Sequence, residues 1–329
     1  MVHQIKEKVW HVVGQTIDNG ATSAEAILQA DLNFEVLKSP NLHVLPSGNN
    51  ILSDNSFFTF RTDTEAVLGG KVGKDYEVVQ NIDAFSFFDS VVGGKGGIQY
   101  ETAGALGYGE TIFITAKLPD YIRVGRDDLI DQYLFLTSTH DGTGSITIAF
   151  TPVRIWCSNT LNAALKNCTN QIKIRHTATA TEKLKSAHKM LGLADQLSVE
   201  LEAIFNRWSR VRITDNEVKR LIQLAMVPNK ETYQNLITGK EGDLSSHYNN
   251  MVSNVFDYAM TNNTQQEATT KGTLFGAYNS VTGYFQNVRN FKDPESKFKS
   301  IMYGTGYDRS QTAFDLCMDF AKIGAGALN

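Results

Sequence analysis

The chain has 329 residues, of which 42% are hydrophobic and 20% are charged, and its formal net charge at pH 7 is -4. This composition excludes a disordered chain and indicates a globular protein with one large or two modest domains. A duplex-DNA-binding protein usually carries a basic excess, so the net charge argues against a simple nucleic-acid clamp but leaves room for one local basic face.

Neither a membrane span nor a secretory leader is predicted. No apolar run approaches the roughly 20 residues that cross a bilayer, and residues 1–10 lack the apolar segment of a signal peptide. The 3 cysteines are odd in number and irregularly spaced, which argues against a disulfide framework. We therefore expect a cytoplasmic protein without membrane contact.

The first half of the chain predicts an antiparallel sheet with a packed helix. The predicted elements are a short helix capped by Thr22 or Ser23 and ending at Ala30, a loop over 42–55, strands over 57–61, 66–72 and 76–80, a helix over 82–92, and strands over 98–103, 111–118, 133–137 and 145–150. Glycine-rich turns at 104–109 and 140–144 favour hairpins. The fold class is therefore α+β.

The second half is predicted to be mostly helical. The expected elements are a helix starting over 159–166, a last strand over 171–176, a long amphipathic helix over 179–211 broken near Gly192, a helix from Thr214 to Met226, and helices over 244–258, 273–288 and 311–323. Thr214 and Glu217 have the spacing of a capping box. We assign residues 1–177 to a sheet domain and residues 178–329 to a helical region packed on it.

Several segments carry a shared pattern. The most specific is 150–162, Phe-Thr-Pro-Val-Arg-Ile-Trp-Cys-Ser-Asn-Thr-Leu-Asn, and others lie at 60–64, 76–81, 100–106, 112–119, 174–177 and 272–282. Together they resemble the phage/plasmid-like family of uncharacterised proteins, domain of unknown function nine-three-two. Two features depart from it: Tyr284 to Asn287 stand where many relatives carry a His, and the glycines at 93–97 are particular to this chain.

The resemblance implies a genetic setting rather than a chemistry. Members of the family look like accessory genes of phages, prophages and plasmids, which favours roles in DNA replication, recombination or anti-defence. The strand–helix–strand order of the first half is also similar in outline to phage single-strand annealing proteins. That second likeness is an analogy of fold, and a fold does not fix a function.

One stretch concentrates basic and polar side chains suited to nucleic acid. Its candidate contacts are Arg154, Trp156, Asn159, Asn162, Lys166, Lys173, Arg175, His176, Lys183 and Lys185. Such a stretch can follow a phosphate backbone while Trp156 stacks on a base. The alternative is structural: a solvated helix face with a core Trp, in which Ser158 or Asn159 caps a helix and Arg154 bonds nearby carbonyls.

Other motifs give weaker signals. Cys157, Cys168 and His176 lack the spacing and the fourth ligand of a structural zinc site. His140, Asp141 and Ser138 suggest a hydrolytic set but also suit a hairpin turn. The glycines at 93–97 lack the Ser or Thr of a phosphate-binding loop. Asp127, Asp128 and Asp131 could bind Mg²⁺ but are also typical of a solvated loop.

The leading hypothesis is a mobile-element protein that binds single-stranded DNA and promotes annealing as a homo-oligomer, with no cofactor. One alternative is a metal-dependent nuclease that uses the three aspartates. The other is a non-enzymatic anti-defence protein, whose negative charge would mimic DNA or cover a basic partner such as a host or phage protein.

Overall fold

The computed structural model describes residues 8–92, 98–154, 159–160, 171–185 and 189–329. Its strands are β1 (Gln15–Thr16), β2 (Val36–Val44), β3 (Asn50–Arg61), β4 (Val67–Gly73), β5 (Gln99–Leu106), β6 (Thr111–Val124), β7 (Asp128–Thr139), β8 (Ile146–Arg154), β9 (Asn159–Thr160) and β10 (Gln171–Ile174). Its α-helices are α1 (Ser23–Gln29), α2 (Asn81–Val92), α3 (Ala180–Lys185), α4 (Lys189–Trp208), α5 (Asp215–Ala225), α6 (Lys230–Ile237), α7 (Ser246–Thr261), α8 (Leu274–Asn287), α9 (Pro294–Tyr303) and α10 (Thr305–Ile323). Strands dominate the first half and helices the second, which confirms the α+β class.

The described strands form two antiparallel sheets. The larger has the order β1-β5-β6-β7-β8-β10, with β9 also paired to β8, and the smaller has the order β2-β3-β4. The hairpins predicted over β5–β6 and β7–β8 are confirmed by antiparallel registers that include Ala103↔Ile114 in the first and Phe135↔Ala149 in the second. Because neighbouring side chains alternate between the two faces of a strand, the central strands bury residues on both faces of this sheet.

Helices from the second half contact the larger sheet directly. Phe298 of α9 lies 4.9 Å from Phe113 and 5.8 Å from Phe135, ring centre to ring centre. Asn206 of α4 accepts a hydrogen bond from the Gly125 amide. Further in, Phe205, Trp208, Phe275, Tyr278 and Phe314 form an aromatic cluster of α4, α8 and α10. No helix in the described ranges combines the length and apolarity required to traverse a bilayer.

Two helices begin at the N-cap residues that the sequence predicts. Thr22 caps α1 and forms a capping box with Glu25, and Thr214 does the same for α5 with Glu217. In each, the Thr hydroxyl accepts from the third amide of the helix while the carboxylate accepts from the Thr amide. Both predicted helix starts are confirmed.

Three predictions of local structure are wrong. The segment predicted as a loop, 42–55, forms largely the two strands of a hairpin whose turn lies around Pro46 to Gly48. The prediction failed because the Pro, Ser and Gly of the turn gave the whole segment the composition of a loop. Residues 76–80 are not a strand, since the Gln80 side chain instead bonds both the N–H and the C=O of Val36. Helix α4 continues through Gly192, because one glycine costs a helix only about 1 kcal/mol.

Two other predictions lie outside the described residues. The glycine-rich segment 93–97 is one, and residues 161–166 of the helix predicted over 159–166 are the other. The start of that helix is placed differently, since Asn159 and Thr160 pair with β8 as strand β9. The boundary between residues 177 and 178 stays a prediction.

Candidate functional site

A cleft of about 500 Å³ separates one face of the larger sheet from helices α9 and α10. Its sheet side comes from β6, β7, β8 and β10, and its helix side includes Lys299, Met302, Tyr303 and Tyr307. Ligand pockets usually have volumes of about 300–1,000 Å³. The cleft therefore has room for a small molecule or for part of a polymer.

The sheet side of the cleft is rich in hydroxyl groups, supplied by Thr111, Thr137, Thr139, Thr143, Ser145, Thr147 and Thr151. Cross-strand register explains this concentration, because Thr137 lies opposite Thr147 and Thr111 opposite Thr139. Residues directly opposite in an antiparallel pair share a face. The Thr137 hydroxyl donates to Ile112 O at 2.9 Å and so keeps acceptor capacity towards the cleft.

Basic and aromatic side chains complete the cleft. Lys173 enters from β10, which lies at the end of the described sheet, and Lys299 enters from α9. Lys299 is half-exposed and forms an ion pair with Glu295 one helical turn earlier. An exposed pair of this kind is worth only about 0.3–0.5 kcal/mol, so Lys299 can turn towards a bound anion at little cost.

Tyr303 and Tyr307 line the same space. The pKa of Tyr303 is raised, first by its removal from water and then by the negative charges of Glu295 and Asp141. The phenol is therefore neutral at physiological pH and acts as a hydrogen-bonding and stacking group. Tyr303 also contacts Phe298 edge to face, which supports its ring from behind.

Asp141 lies on the turn between β7 and β8 and lines the cleft as a carboxylate. It accepts hydrogen bonds from the amide and hydroxyl of Thr143. The turn packs closely on the smaller sheet, since a Cβ on Gly69 would meet the Asp141 backbone at 2.7 Å. Gly142 has a φ of +77°, which favours glycine at that position.

Arg154 was predicted to contact nucleic acid from the surface, but its side chain lies in the interior. Its side chain is fully buried, and it binds Asp128 in a bidentate ion pair with distances of 2.8 and 2.7 Å. It also donates to Thr264 O at 3.1 Å. Burial removes the guanidinium from any external phosphate, so Arg154 joins the sheet to the helical half instead.

The other residues of the predicted stretch divide into three groups. Lys173, Arg175 and Lys183 are exposed, and Lys173 alone of the three lines the cleft. His176 is buried rather than exposed. Trp156, Asn162 and Lys166 lie outside the described residues, as do the side chains of Asn159 and Lys185.

His176 and His140 form a buried pair behind the turn that carries Asp141. The His176 ring stacks on Tyr76 at 4.9 Å, and within the described structure neither of its ring nitrogens has a hydrogen-bond partner. His140 Nε2 lies 2.8 Å from Asn81 Oδ1. Burial lowers the pKa of both histidines, that of His140 to about 4, with the charge of His176 adding to the effect at His140.

The predicted hydrolytic set does not take the form of an exposed site. Ser138 and His140 are both fully buried, and His140 bonds Asn81 rather than Asp141. The Asp141 carboxylate bonds Thr143 instead. These contacts give His140 a structural role in the core and Asp141 a structural role in the turn above it.

Two of the three predicted magnesium carboxylates, Asp128 and Asp131, do not converge. Asp128 binds Arg154 and accepts from Thr269, whereas Asp131 binds Lys117 at 2.9 Å and lies 3.7 Å from Lys8. The two aspartates are three residues apart on β7, so they project from opposite faces of the sheet. Two carboxylates on opposite faces cannot share one metal ion.

A second charged network, around Glu101, lies on the Asp131 face. Its carboxylate binds Lys8 at 2.7 Å, His11 at 3.1 Å and the Trp10 indole at 3.0 Å. Burial alone would raise the pKa of Glu101, but the hydrogen bonds from these three residues and the positive charge of Lys8 outweigh it and lower the pKa to about 2. The network fastens residues 8–11 to the sheet.

The described residues also offer no other candidate metal site. Within the described ranges, no group of three or more His, Cys, Asp or Glu side chains is placed to hold a metal ion. The candidate zinc ligands Cys157 and Cys168 lie outside those ranges.

Sequence reasoning missed most of the cleft. Lys299, Tyr303 and Tyr307 lie in helices whose pattern indicates only an amphipathic surface. The strands did carry a sequence signal for the cleft. A buried sheet face usually carries aliphatic residues, whereas on this face the strands carry Thr137, Thr139, Thr147 and Thr151.

Comparisons with known proteins give a family and nothing beyond it. No curated protein and no solved structure matches the chain significantly. Residues 69–302 match the family described as Domain of unknown function (DUF932), and this range holds most of the cleft and the segment that contains Arg154. Because the match extends over more than half of the chain, the protein belongs to the DUF932 family.

Proposed function

We propose that the protein binds single-stranded DNA in the threonine-lined cleft. The observation that carries the proposal is that Lys173, from the predicted basic stretch, lines the same cleft as Lys299, Tyr303 and Tyr307. Proteins that bind single strands without sequence preference combine basic groups for the backbone with aromatic rings for the bases. The cleft supplies both kinds of group, and its hydroxyls can bond sugar and phosphate oxygens.

A single strand suits the cleft better than a duplex. Bases can stack on Tyr303 or Tyr307 only when they are unpaired and turned outward. A duplex presents its phosphates on a wide convex surface, which matches a broad basic face rather than a cleft. The net charge of -4 also favours a ligand held by a few local contacts.

The proposed setting is DNA annealing or recombination on a mobile genetic element. It is supported by the resemblance of the chain to a phage- and plasmid-type family. DNA binding in the cleft does not require that setting and is tested separately from it.

Fluorescence anisotropy of a labelled oligothymidylate, titrated at several salt concentrations, tests the proposal. For single strands, log Kobs falls with log salt at a slope of about -0.7 for each phosphate contact. If Lys173 and Lys299 each hold one phosphate, then Lys173→Gln and Lys299→Gln should each weaken binding and make the slope less negative by about 0.7. Lys240→Gln is the matched control, since Lys240 is exposed and lies outside the cleft.

The aromatic contact needs its own pair of variants. Tyr303→Ala should weaken binding by about 1–3 kcal/mol, the usual value of one base stacked on an aromatic side chain. Tyr303→Phe keeps the ring and should bind nearly as the wild type does. Absence of binding at low salt, or equal affinities for the two lysine variants and the Lys240 control, would refute the proposal.

A further inference from the structure

The cleft between the larger sheet and helices α9 and α10 is small for a ligand as long as a DNA strand. Its volume of about 500 Å³ is that of a small-ligand pocket. Proteins that follow a single strand cover about 4–16 nucleotides with one binding domain. Phe298 of α9 contacts Phe135, which lines the cleft, so the helix and the sheet meet on that side. The cleft therefore has room for one or two nucleotides.

One end of the cleft floor, its sheet side, is basic. Lys173 on β10 lies opposite Thr147 on β8, and Thr147 lies opposite Thr137 on β7. Residues that lie opposite one another in antiparallel strands share a face, so these three side chains form one row. Lys173 is exposed and lines the cleft. This row offers a phosphate an ammonium group and hydroxyl donors.

The other end of the floor, at the turn between β7 and β8, has the opposite chemistry. Thr139 lies two residues beyond Thr137, on the same face of β7, and its buried hydroxyl has no hydrogen-bond partner among the described residues. Asp141 follows, half-buried, and also lines the cleft. A carboxylate accepts hydrogen bonds and repels a phosphate, so this end suits a neutral donor such as a hydroxyl.

The separation of the two ends suits one nucleotide. Strand β8 lies between β7 and β10, so Thr139 is about 10 Å from Lys173 across the sheet and about 7 Å along it, between backbones. The long Lys173 side chain spans part of that separation. A nucleotide has the same polarity as the cleft, with a phosphate on its 5′ side and a hydroxyl on its 3′ side. Within a strand, however, that hydroxyl is esterified, and the next phosphate would lie beside Asp141.

We infer that the cleft holds the 3′-terminal nucleotide of a single strand, with phosphates at Lys173 and Lys299 and the free 3′ hydroxyl donating to Asp141. The inference rests on the proposed binding of single-stranded DNA and adds which part of the strand enters the cleft. The terminal base then lies towards Tyr303 and Tyr307, on the helix side. The Thr139 hydroxyl can bond the same sugar.

Competition against a 5′-labelled oligothymidylate, followed by fluorescence anisotropy on the full chain, tests the inference. A linear oligothymidylate with a free 3′ hydroxyl should compete about tenfold better than a closed circle of the same length, because only the linear strand can bond Asp141. A 3′ phosphate should weaken the linear competitor by about tenfold or more, because it meets the Asp141 carboxylate. A 5′ phosphate lies away from that carboxylate and should change the affinity by less than about twofold.

Asp141→Asn separates recognition of the strand end from folding. Asparagine keeps an acceptor oxygen for the Thr143 amide, so the turn should persist, as circular dichroism would show. The variant should bind the 3′-phosphate strand within about threefold of the 3′-hydroxyl strand, because the repelling charge is gone. A purely structural role would instead weaken both strands equally. Asp243→Asn is the matched control and should keep the preference, since Asp243 is exposed and lies outside the cleft.

The outcomes separate this inference from the proposed function. Equal competition by the circle and the linear strand would overturn the inference and leave DNA binding intact. Equal affinity of the wild type for the two kinds of 3′ end would also overturn it. Absence of binding by every strand would refute the proposed function and the inference together.

Discussion

Arg154 and Asp128 form a buried bidentate ion pair, with Nε–Oδ1 and Nη2–Oδ2 distances of 2.8 and 2.7 Å. The pair connects the ends of β8 and β7 with the helical half, because Thr269 donates to Asp128 at 2.7 Å and Arg154 donates to Thr264 O. The most specific segment of the family resemblance thus contains a residue that holds the two halves of the chain together.

Removal of one partner should be more harmful than removal of both. Arg154→Ala leaves an uncompensated carboxylate in the interior, so we expect the free energy of unfolding to fall by about 3–5 kcal/mol. Arg154→Leu combined with Asp128→Leu removes both charges and should be less destabilising than Arg154→Ala. Urea denaturation measures both effects, and a loss below 1 kcal/mol for Arg154→Ala would contradict the assignment.

The buried His140 predicts a loss of stability in mild acid. Asn81 donates its side-chain amide to Leu32 O, so its Oδ1 accepts from His140 Nε2 and leaves Nδ1 unprotonated. The pKa of His140 is lowered by burial from 6.5 to about 4. Its contribution to stability is fully present above pH 6.5 and is lost as the pH falls towards 4, because the unfolded chain takes up the proton first.

Chemical denaturation at pH 7.5, 6.0 and 5.0 checks this dependence. The free energy of unfolding should fall by up to about 1.4 kcal/mol per pH unit through that window, with His176 adding to the fall in the same direction. His140→Gln should flatten the profile, whereas His43→Gln, at an exposed position, should not. Parallel profiles for the wild type and His140→Gln would show that His140 is not the group responsible.

We expect substitution of alanine for glycine to have opposite effects on stability at two helical positions. A Cβ on Gly276 of α8 would lie 1.9 Å from Thr270 O, whereas a Cβ on Gly192 of α4 would meet no atom of the described residues within 4 Å. Gly276→Ala should destabilise the protein by about 1–3 kcal/mol through overpacking. Gly192→Ala should stabilise it by about 0.5–1 kcal/mol. Thermal denaturation should therefore give a lower melting temperature than the wild type for Gly276→Ala and a higher one for Gly192→Ala.

The capping box of α5 offers a smaller test. The Thr214 hydroxyl accepts from the Glu217 amide at 3.3 Å, and the Glu217 carboxylate accepts from the Thr214 amide at 2.7 Å. Thr214→Ala should lower the free energy of unfolding by about 1 kcal/mol. Glu217→Gln keeps an acceptor oxygen and should cost less; if it costs more than Thr214→Ala, charge rather than the capping hydrogen bonds dominates at this helix start.

Local patterns sufficed for the α+β class and for most elements. The capping boxes at Thr22 and Thr214 act within four residues, and the strands of the two central hairpins show the alternation and glycine-rich turns that their own backbone requires. The hairpin of residues 36–61 was missed because Pro46, Ser47 and Gly48 give its tip the composition of a loop.

The candidate site depended on contacts between distant parts of the chain. Lys173 and Lys299 reach one cleft only because α9 packs on the sheet through Phe298, and no local pattern encodes that contact. Arg154 has the same charge as Lys173 in the sequence, yet one is buried against Asp128 and the other is exposed. The sequence by itself determined the elements and the basic character of the stretch, since propensity and periodicity are local; the tertiary structure alone decided which charges face solvent, since burial depends on residues far away along the chain.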